Sequence, residues 1–336
     1  ATLPGRPSTE LYGGAAYLSQ TLTGLRTGKR NTLTVAAGDL IGASPIVSGL
    51  FKDEPSVETL NAMRLDVSSV GNHEFDEGIT ELLRMQYGGC SPEAGCFDAD
   101  GYSGAKFPWL AANVTWKPGV LTPKPVPGYG SWFRQRTGRT VLPPTWVKEI
   151  DGVKVGFIGM TLRDTPTLVA QAGIKDLDFK DEVASANLAA RDLRQRNVQA
   201  IIVLIHEGGL PPNGSAYDYQ CNAPGTPAAI SGPIVAIAQG LDPSIDMVIS
   251  GHTHQPYVCN IPDPAGNPRL VTSAYAFGRL VTETLRAQDV VCRTSADEFA
   301  LLLPETAGEP SRVAVERLLV ELETVVAGEV RGLSAS

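Results

Sequence analysis

Residues 67–76 read Val67-Ser68-Ser69-Val70-Gly71-Asn72-His73-Glu74-Phe75-Asp76, a short apolar run that stops at a glycine and gives way to imidazole and carboxylates. The run 67–71 predicts a buried strand, and the polar residues after it occupy the turn that leaves the strand. The same arrangement recurs three times. Residues 32–37 precede Gly38-Asp39-Leu40-Ile41-Gly42, the run 200–205 precedes His206-Glu207-Gly208-Gly209, and 247–250 precedes Gly251-His252-Thr253-His254. All four histidines of the 336-residue chain fall in these turns. In α/β sheets ligands gather beyond the carboxyl ends of strands, so turns far apart in sequence can share one site.

Between these strands lie helical patterns. Residues 56–64 predict a short helix with Ser56 as its N-cap. Residues 181–197 have helical spacing through Val183, Leu188 and Leu193, and 233–241 predict another helix. A further strand is expected over 153–160. Alternating strands and helices with short loops predict an α/β layered domain. The stretch 97–147, rich in Gly, Pro and Trp, reads as a long elaborated connection.

Bulk properties narrow the partners. A net charge of −8 argues against a nucleic-acid backbone as the main partner and leaves a small ligand as the expectation. The longest apolar stretch, 200–205, is too short to span a bilayer. Ala1 is not preceded by Met and the first residues lack an apolar leader, so the chain reads as a mature, processed form or a fragment. Of five cysteines, Cys90 with Cys96 and Cys221 with Cys259 are expected to form two loop-stapling disulfides, with Cys292 left over. Such disulfides place the protein in an extracellular or periplasmic setting; reduced thiols in a cytoplasmic enzyme are the alternative.

Taken singly, each motif has an ordinary reading. A Gly-Asp after a strand is usually a turn, and a lone histidine is usually a satisfied one. Together they are more specific. His252 and His254 are alternate residues, which share a face of an extended segment and make a chelating pair. Asp39 offers a carboxylate able to bridge two cations, and Asp76 lies close enough in sequence to orient the His73 ring. Nitrogen and oxygen donors without thiolate suit Mn, Zn, Fe or Co.

In order, Gly-Asp-x-x-Gly, Gly-Asn-His-Glu, His-Glu-Gly-Gly and Gly-His-Thr-His resemble the calcineurin-like metallophosphoesterases. The form Gly71-Asn72-His73-Glu74-Phe75-Asp76 points to their 5′-nucleotidase branch. Leu110-Ala111-Ala112-Asn113-Val114, Ser273-Ala274-Tyr275 and Gly278-Arg279 also look like that family's connecting segments, so the resemblance covers about residues 10–282. It implies a layered α/β/β/α sandwich with mixed sheets and two divalent metal ions. By it Asp39 bridges the ions, Asn72, His206 and His252 complete one site, and His254 binds the other. His73, paired with Asp76, would be a catalytic non-ligand that protonates the leaving oxygen, while Glu74 would be a structural acceptor. The implied reaction is hydrolysis of phosphate esters, nucleotide 5′-monophosphates or similar small phosphomonoesters, by direct attack of a metal-bound hydroxide.

Two departures qualify this. Family members carry an Asp-x-His motif at the end of their first strand, and none precedes Asp39 here, so metal site one would keep only Asp39 and His254. A non-catalytic or weakly active metal- or ligand-binding remnant is therefore the competing expectation. The chain divides into a catalytic domain, 1–283, and an appendage, 284–336. Residues 285–305 resemble the central hairpin of a GGDEF domain with Ser295 and Ala296 in place of its two glycines, and 311–326 predict an amphipathic helix. A strand and helix that pack on the main domain or on a partner are the simpler expectation for this tail. Oligomeric state is left open.

Overall fold

A computed structural model describes residues 15–99, 101–120, 139–211, 221, 230–273, 291–293 and 299–301. After helix α1 (Ala15–Arg26), strands β1 (Val35–Ala36), β2 (Val67–Ser69) and β3 (Trp109–Leu110) form a small parallel sheet. Strand β4 (Val114–Trp116) turns away from it to pair antiparallel with β7 (Leu177–Phe179).

The larger sheet is mixed. It contains β5 (Thr145–Ile150), β6 (Val153–Thr161), β8 (Ala200–His206), β9 (Met247–Ser250), β10 (Val258–Pro262) and β11 (Pro268–Ser273), in the order β10-β11-β9-β8-β6-β5. β6, β8, β9 and β11 run parallel, and the edge strands β5 and β10 run antiparallel to them. β8 is buried at every position because both of its faces are covered, which is why its sequence is a continuous apolar run without alternation.

The two sheets face each other, with β2 and β3 against β6 and β8. They approach closely at Gly159, where an added Cβ would lie 2.9 Å from the Leu110 carbonyl oxygen. Helices α3 (Glu54–Met63) and α4 (Gly78–Tyr87) share an apolar cluster with the small sheet through Val57, Leu60, Leu82 and Trp109. Helices α6 (Glu182–Gln195) and α7 (Pro233–Gly240) cover the large one through Ala186, Ala190, Leu193 and Ile234. The result is the expected α/β/β/α layering.

Local details depart from the sequence reading. The helix expected from Ser56 begins two residues earlier, at Glu54, with Asp53 at its N-cap and Pro55 in its first turn. Ser56 instead hydrogen-bonds the Ser48 hydroxyl at 2.7 Å. In α6 the buried stripe runs through alanines and Leu193, while Leu188 is 64% exposed. Small residues there let the helix settle onto β6, where Leu193 lies against Gly156. The Asp181 side chain caps α6 by accepting from the Ala184 N–H at 2.8 Å. The stretch 97–147 is more than a connection, since it supplies β3 and β4.

Both expected disulfides, Cys90–Cys96 and Cys221–Cys259, are formed. In the appendage, β12 (Val291–Arg293) and β13 (Phe299–Leu301) make an antiparallel hairpin, with β12 beside α1 and β13 beside β1. The expected helix 311–326, with Ser295 and Ala296, lies outside the described residues. Among the described residues no helix is long and apolar enough to cross a membrane.

Candidate metal centre

Four strand ends converge between the two sheets. His206, the last residue of β8, is fully buried and is the hub. Its Nδ1 donates to the Ala37 carbonyl at 2.7 Å, which leaves Nε2 pointing away from the peptide. Nε2 lies 2.7 Å from Asp39 Oδ2 without the alignment of a hydrogen bond. A carboxylate oxygen and an imidazole nitrogen thus face the same space.

Glycines make this possible. An added Cβ on Gly38 would lie 2.8 Å from His206 Nδ1, one on Gly71 2.8 Å from its Cγ, and one on Gly251 3.0 Å from Nδ1. These residues follow β1, β2 and β9, so three strand ends close around one ring with no side chain between. Gly38 (φ 93°) and Asp39 (φ 56°) both take left-handed backbone, which turns the Asp39 carboxylate back toward His206.

Glu74 holds the two loops of the small sheet together. Its carboxylate accepts from the backbone N–H groups of Asp39 at 2.9 Å, of Leu40 at 2.6 Å and, in a short bond, of Gly71. Asp39 Oδ1 in turn accepts from the His73 N–H at 3.0 Å. The expectation that Glu74 is a structural acceptor matches this arrangement. Beyond it, His73 Nδ1 and Asp76 Oδ2 are 2.7 Å apart, in a half-exposed pair at the rim. Asn72 is buried, and its Oδ1 has no hydrogen-bond partner.

The charges are strongly interdependent. Burial alone would strip the proton from His206, but the Asp39 carboxylate overrides it and pushes the imidazole up to about 9. Asp39, despite its own burial, is held below the ordinary carboxylate range by His206. Burial and the nearby Asp39 charge push Glu74 up to about 7. His73 is pulled down by burial, yet its bond to Asp76 and the charge of Asp39 leave it above the usual imidazole value.

The remaining predicted ligands are less tightly gathered. The His252 ring sits edge-on to His206, with centroids 5.2 Å apart. His254 is exposed. Both have positive φ, 72° and 55°, so the Gly-His-Thr-His segment is a tight turn and not the extended chelate its alternation predicted. Among the described residues no three His, Cys, Asp or Glu side chains cluster as a ready cation cage. The donor chemistry nonetheless fits a divalent cation beside Asp39, Asn72 and His206. Buried Asn72 Oδ1 lacks a hydrogen bond, and uncompensated buried polar atoms are rare unless an ion or water completes them.

The profile of the calcineurin-like phosphoesterases matches residues 11–256. The chain belongs to that family. Endonuclease YhcR of Bacillus subtilis is 31% identical over 96% of this chain and 24% of its own length. A probable 5′-nucleotidase of Treponema pallidum is 27% identical over 81% of this chain and 39% of its own length. The NAD nucleotidase NadN of Haemophilus influenzae superposes with a TM-score of 0.55 at 23% identity, over 79% of this chain and 40% of that one. The chain therefore spans between a quarter and two fifths of the length of these relatives. The 5′-nucleotidase likeness read from Gly71–Asp76 agrees with them.

Two contributors carried no separate signal in the sequence. The Ala37 carbonyl, which fixes the His206 tautomer, is backbone and invisible to motif reading. Asp53, whose Oδ2 accepts from the Gly42 N–H at 2.9 Å, lies in a helix cap that spacing did not connect to the site.

Proposed function

We propose that this chain is a metal-dependent phosphomonoesterase acting on nucleotide 5′-monophosphates or similar small phosphate esters. The observation that carries the reading is the buried Asp39–His206 pair, two ligand groups from opposite sheets 2.7 Å apart, supported by the buried Asn72 oxygen that has no hydrogen-bond partner. Asp39, Asn72, His206 and His252 would hold one divalent cation, and Asp39 with His254 a second. When bound, such ions supply Lewis-acid stabilisation of the phosphoryl oxygens and make water a competent nucleophile at neutral pH.

The chain's own residues do the rest. Glu74 fixes the two loops so that Asp39 and Asn72 keep their positions before substrate arrives. Ala37 holds His206 in the tautomer that presents Nε2. His73, steadied by Asp76 at its Nδ1, keeps Nε2 free to carry a proton, stabilises charge on the transferring phosphoryl group and donates to the leaving oxygen. A net charge of −8 favours a small substrate over a polyanion. The two disulfides support an extracellular or periplasmic setting, where they persist.

The lack of a three-residue cage among the described residues favours one competing reading, a metal- or ligand-binding remnant without turnover. Hydrolysis of 4-nitrophenyl phosphate, a nucleoside 5′-monophosphate and single-stranded DNA in Mn²⁺, with metal content by mass spectrometry, separates the two. Turnover of the monoesters that disappears in Asp39→Ala is expected. Turnover that survives Asp39→Ala refutes the metal mechanism, and a single bound ion with no turnover establishes the remnant.

A further inference from the structure

The segment between Gly42 and Asp53 is weakly packed for a loop that ends at the candidate centre. Short helix α2 (Ile46–Gly49) and its surroundings leave Ile46 73%, Val47 72% and Leu50 67% exposed. Buried Leu40 and Ile41 anchor the chain just before Gly42, but apolar burial does little to hold the segment that leaves Gly42 on its other side. Its position nonetheless matters. An added Cβ on Gly42 would lie 2.5 Å from the His73 carbonyl oxygen and 2.8 Å from both His73 Cβ and Asp76 Oδ2. Gly42 is thus in direct contact with the pair that the proposed reaction uses as its acid.

At the other end of the segment stand two successive non-glycine residues with left-handed backbone, Lys52 (φ 50°) and Asp53 (φ 62°). Such conformations are uncommon outside glycine and persist where the surroundings impose them. Asp53 is 8% exposed; Oδ2 accepts the Gly42 N–H at 2.9 Å, and Oδ1 is buried without a partner. Lys52 Nζ reaches the other way, to Glu77 Oε2 at 2.9 Å, one residue beyond Asp76. A buried, half-satisfied carboxylate in a strained corner is a poor stabiliser of the fold. Among the described residues, its hydrogen bond is with the glycine beside His73.

We infer that the Lys52-Asp53 corner is a positioning device for the His73–Asp76 pair, with Asp53 holding Gly42 against it and Lys52 anchoring the adjoining Glu77. Among the described residues neither the Asp53 nor the Lys52 side chain hydrogen-bonds a candidate ligand; their partners are Gly42 and Glu77. They act through the register of the acid. The inference rests on the phosphoesterase reading for its effect on rate, but the position of the His73 ring can be measured without any turnover.

The test uses Asp53→Gly, which suits the left-handed backbone and so preserves the fold while deleting the carboxylate, and Asp53→Asn, which keeps an acceptor for Gly42 N–H. With four histidines in the chain, the His73 Nδ1–H resonance can be assigned in ¹⁵N-histidine-labelled protein by comparison with His73→Ala. Asp53→Gly should broaden or shift that resonance and lower kcat about tenfold, with KM changed less than twofold and melting temperature equal or higher. Asp53→Asn should restore both signals to within about threefold of wild type. Wild-type kcat and an unmoved resonance in a folded Asp53→Gly protein overturn the inference, as does a loss of bound Mn²⁺ in that variant. If wild type has no turnover, the phosphoesterase reading fails by itself, and the resonance still decides the role of the corner.

Discussion

Asp39 Oδ2 and His206 Nε2 lie 2.7 Å apart although one follows a strand of the small sheet and the other ends the central strand of the large one. Their approach ties the two sheets together at the carboxyl ends of their strands. Without a cation, the positive charge that His206 retains holds it to the Asp39 carboxylate.

That proton sets the pH response of the metal-free protein. His206 titrates near 6.5 when unfolded and near 9 when folded, so its contribution is complete below 6.5 and vanishes as pH rises through about 9. Glu74, raised to about 7, works in the same direction, since its protonated form is favoured by the fold. In chelator, the melting temperature of wild type should fall between pH 6.5 and 9, and that of His206→Ala should fall less. Calorimetry across this range provides the check; equal slopes would mean that the pair does not titrate as a unit.

A leaving-group acid matters only when the leaving group needs a proton. His73→Ala should therefore slow hydrolysis of a nucleoside 5′-monophosphate by roughly 10²- to 10³-fold. Against 4-nitrophenyl phosphate, whose phenolate departs unaided, the loss should be about tenfold or less. Equal losses on both substrates would remove His73 from that role. Bound metal, measured in parallel, should be unchanged.

Gly71 is the tightest point of the glycine jacket. In Gly71→Ala the new methyl group would lie 2.7 Å from the Asp39 nitrogen and 2.8 Å from His206 Cγ, and neither is the free end of a flexible chain. Overpacking of this kind costs about 1–3 kcal/mol. Denaturant titration should show that loss, with weaker Mn²⁺ binding. A variant that keeps wild-type stability and metal affinity would show that the three loops have room to spare.

The two disulfides close loops of different size, with sequence separations of 6 for Cys90–Cys96 and 38 for Cys221–Cys259. Chain-entropy arguments assign about 2 kcal/mol to the shorter and about 4 kcal/mol to the longer. Serine replacement of Cys221 and Cys259 should accordingly lower stability more than replacement of Cys90 and Cys96, as read from chemical denaturation midpoints.

The sequence disclosed the strand ends well, because chemistry there is concentrated in rare residues. Four histidines and an Asp after apolar runs are conspicuous, and the strands themselves carry enough β-branched residues to be found. It disclosed less where a role depends on a neighbour distant in the chain. Asp53 looks like any helix-capping carboxylate until Gly42 is placed beside it. Leu188 fitted a helical stripe, yet the close approach of α6 to Gly156 selects alanines for the buried face instead. His252 and His254 looked like an extended chelate, and only the backbone reveals that positive φ at both folds them into a turn. Helix α1 gave no signal strong enough to anticipate, since its buried contact is chiefly Leu22 against Met63.

The full commitment of Glu74 to backbone donors has an electrostatic corollary. With that carboxylate turned inward, Asp39 is the single anion among the candidate ligands, the others being neutral amide and imidazole groups. A dication seated there would keep about one unit of uncancelled positive charge. The cradle would then attract a phosphate dianion by its own field.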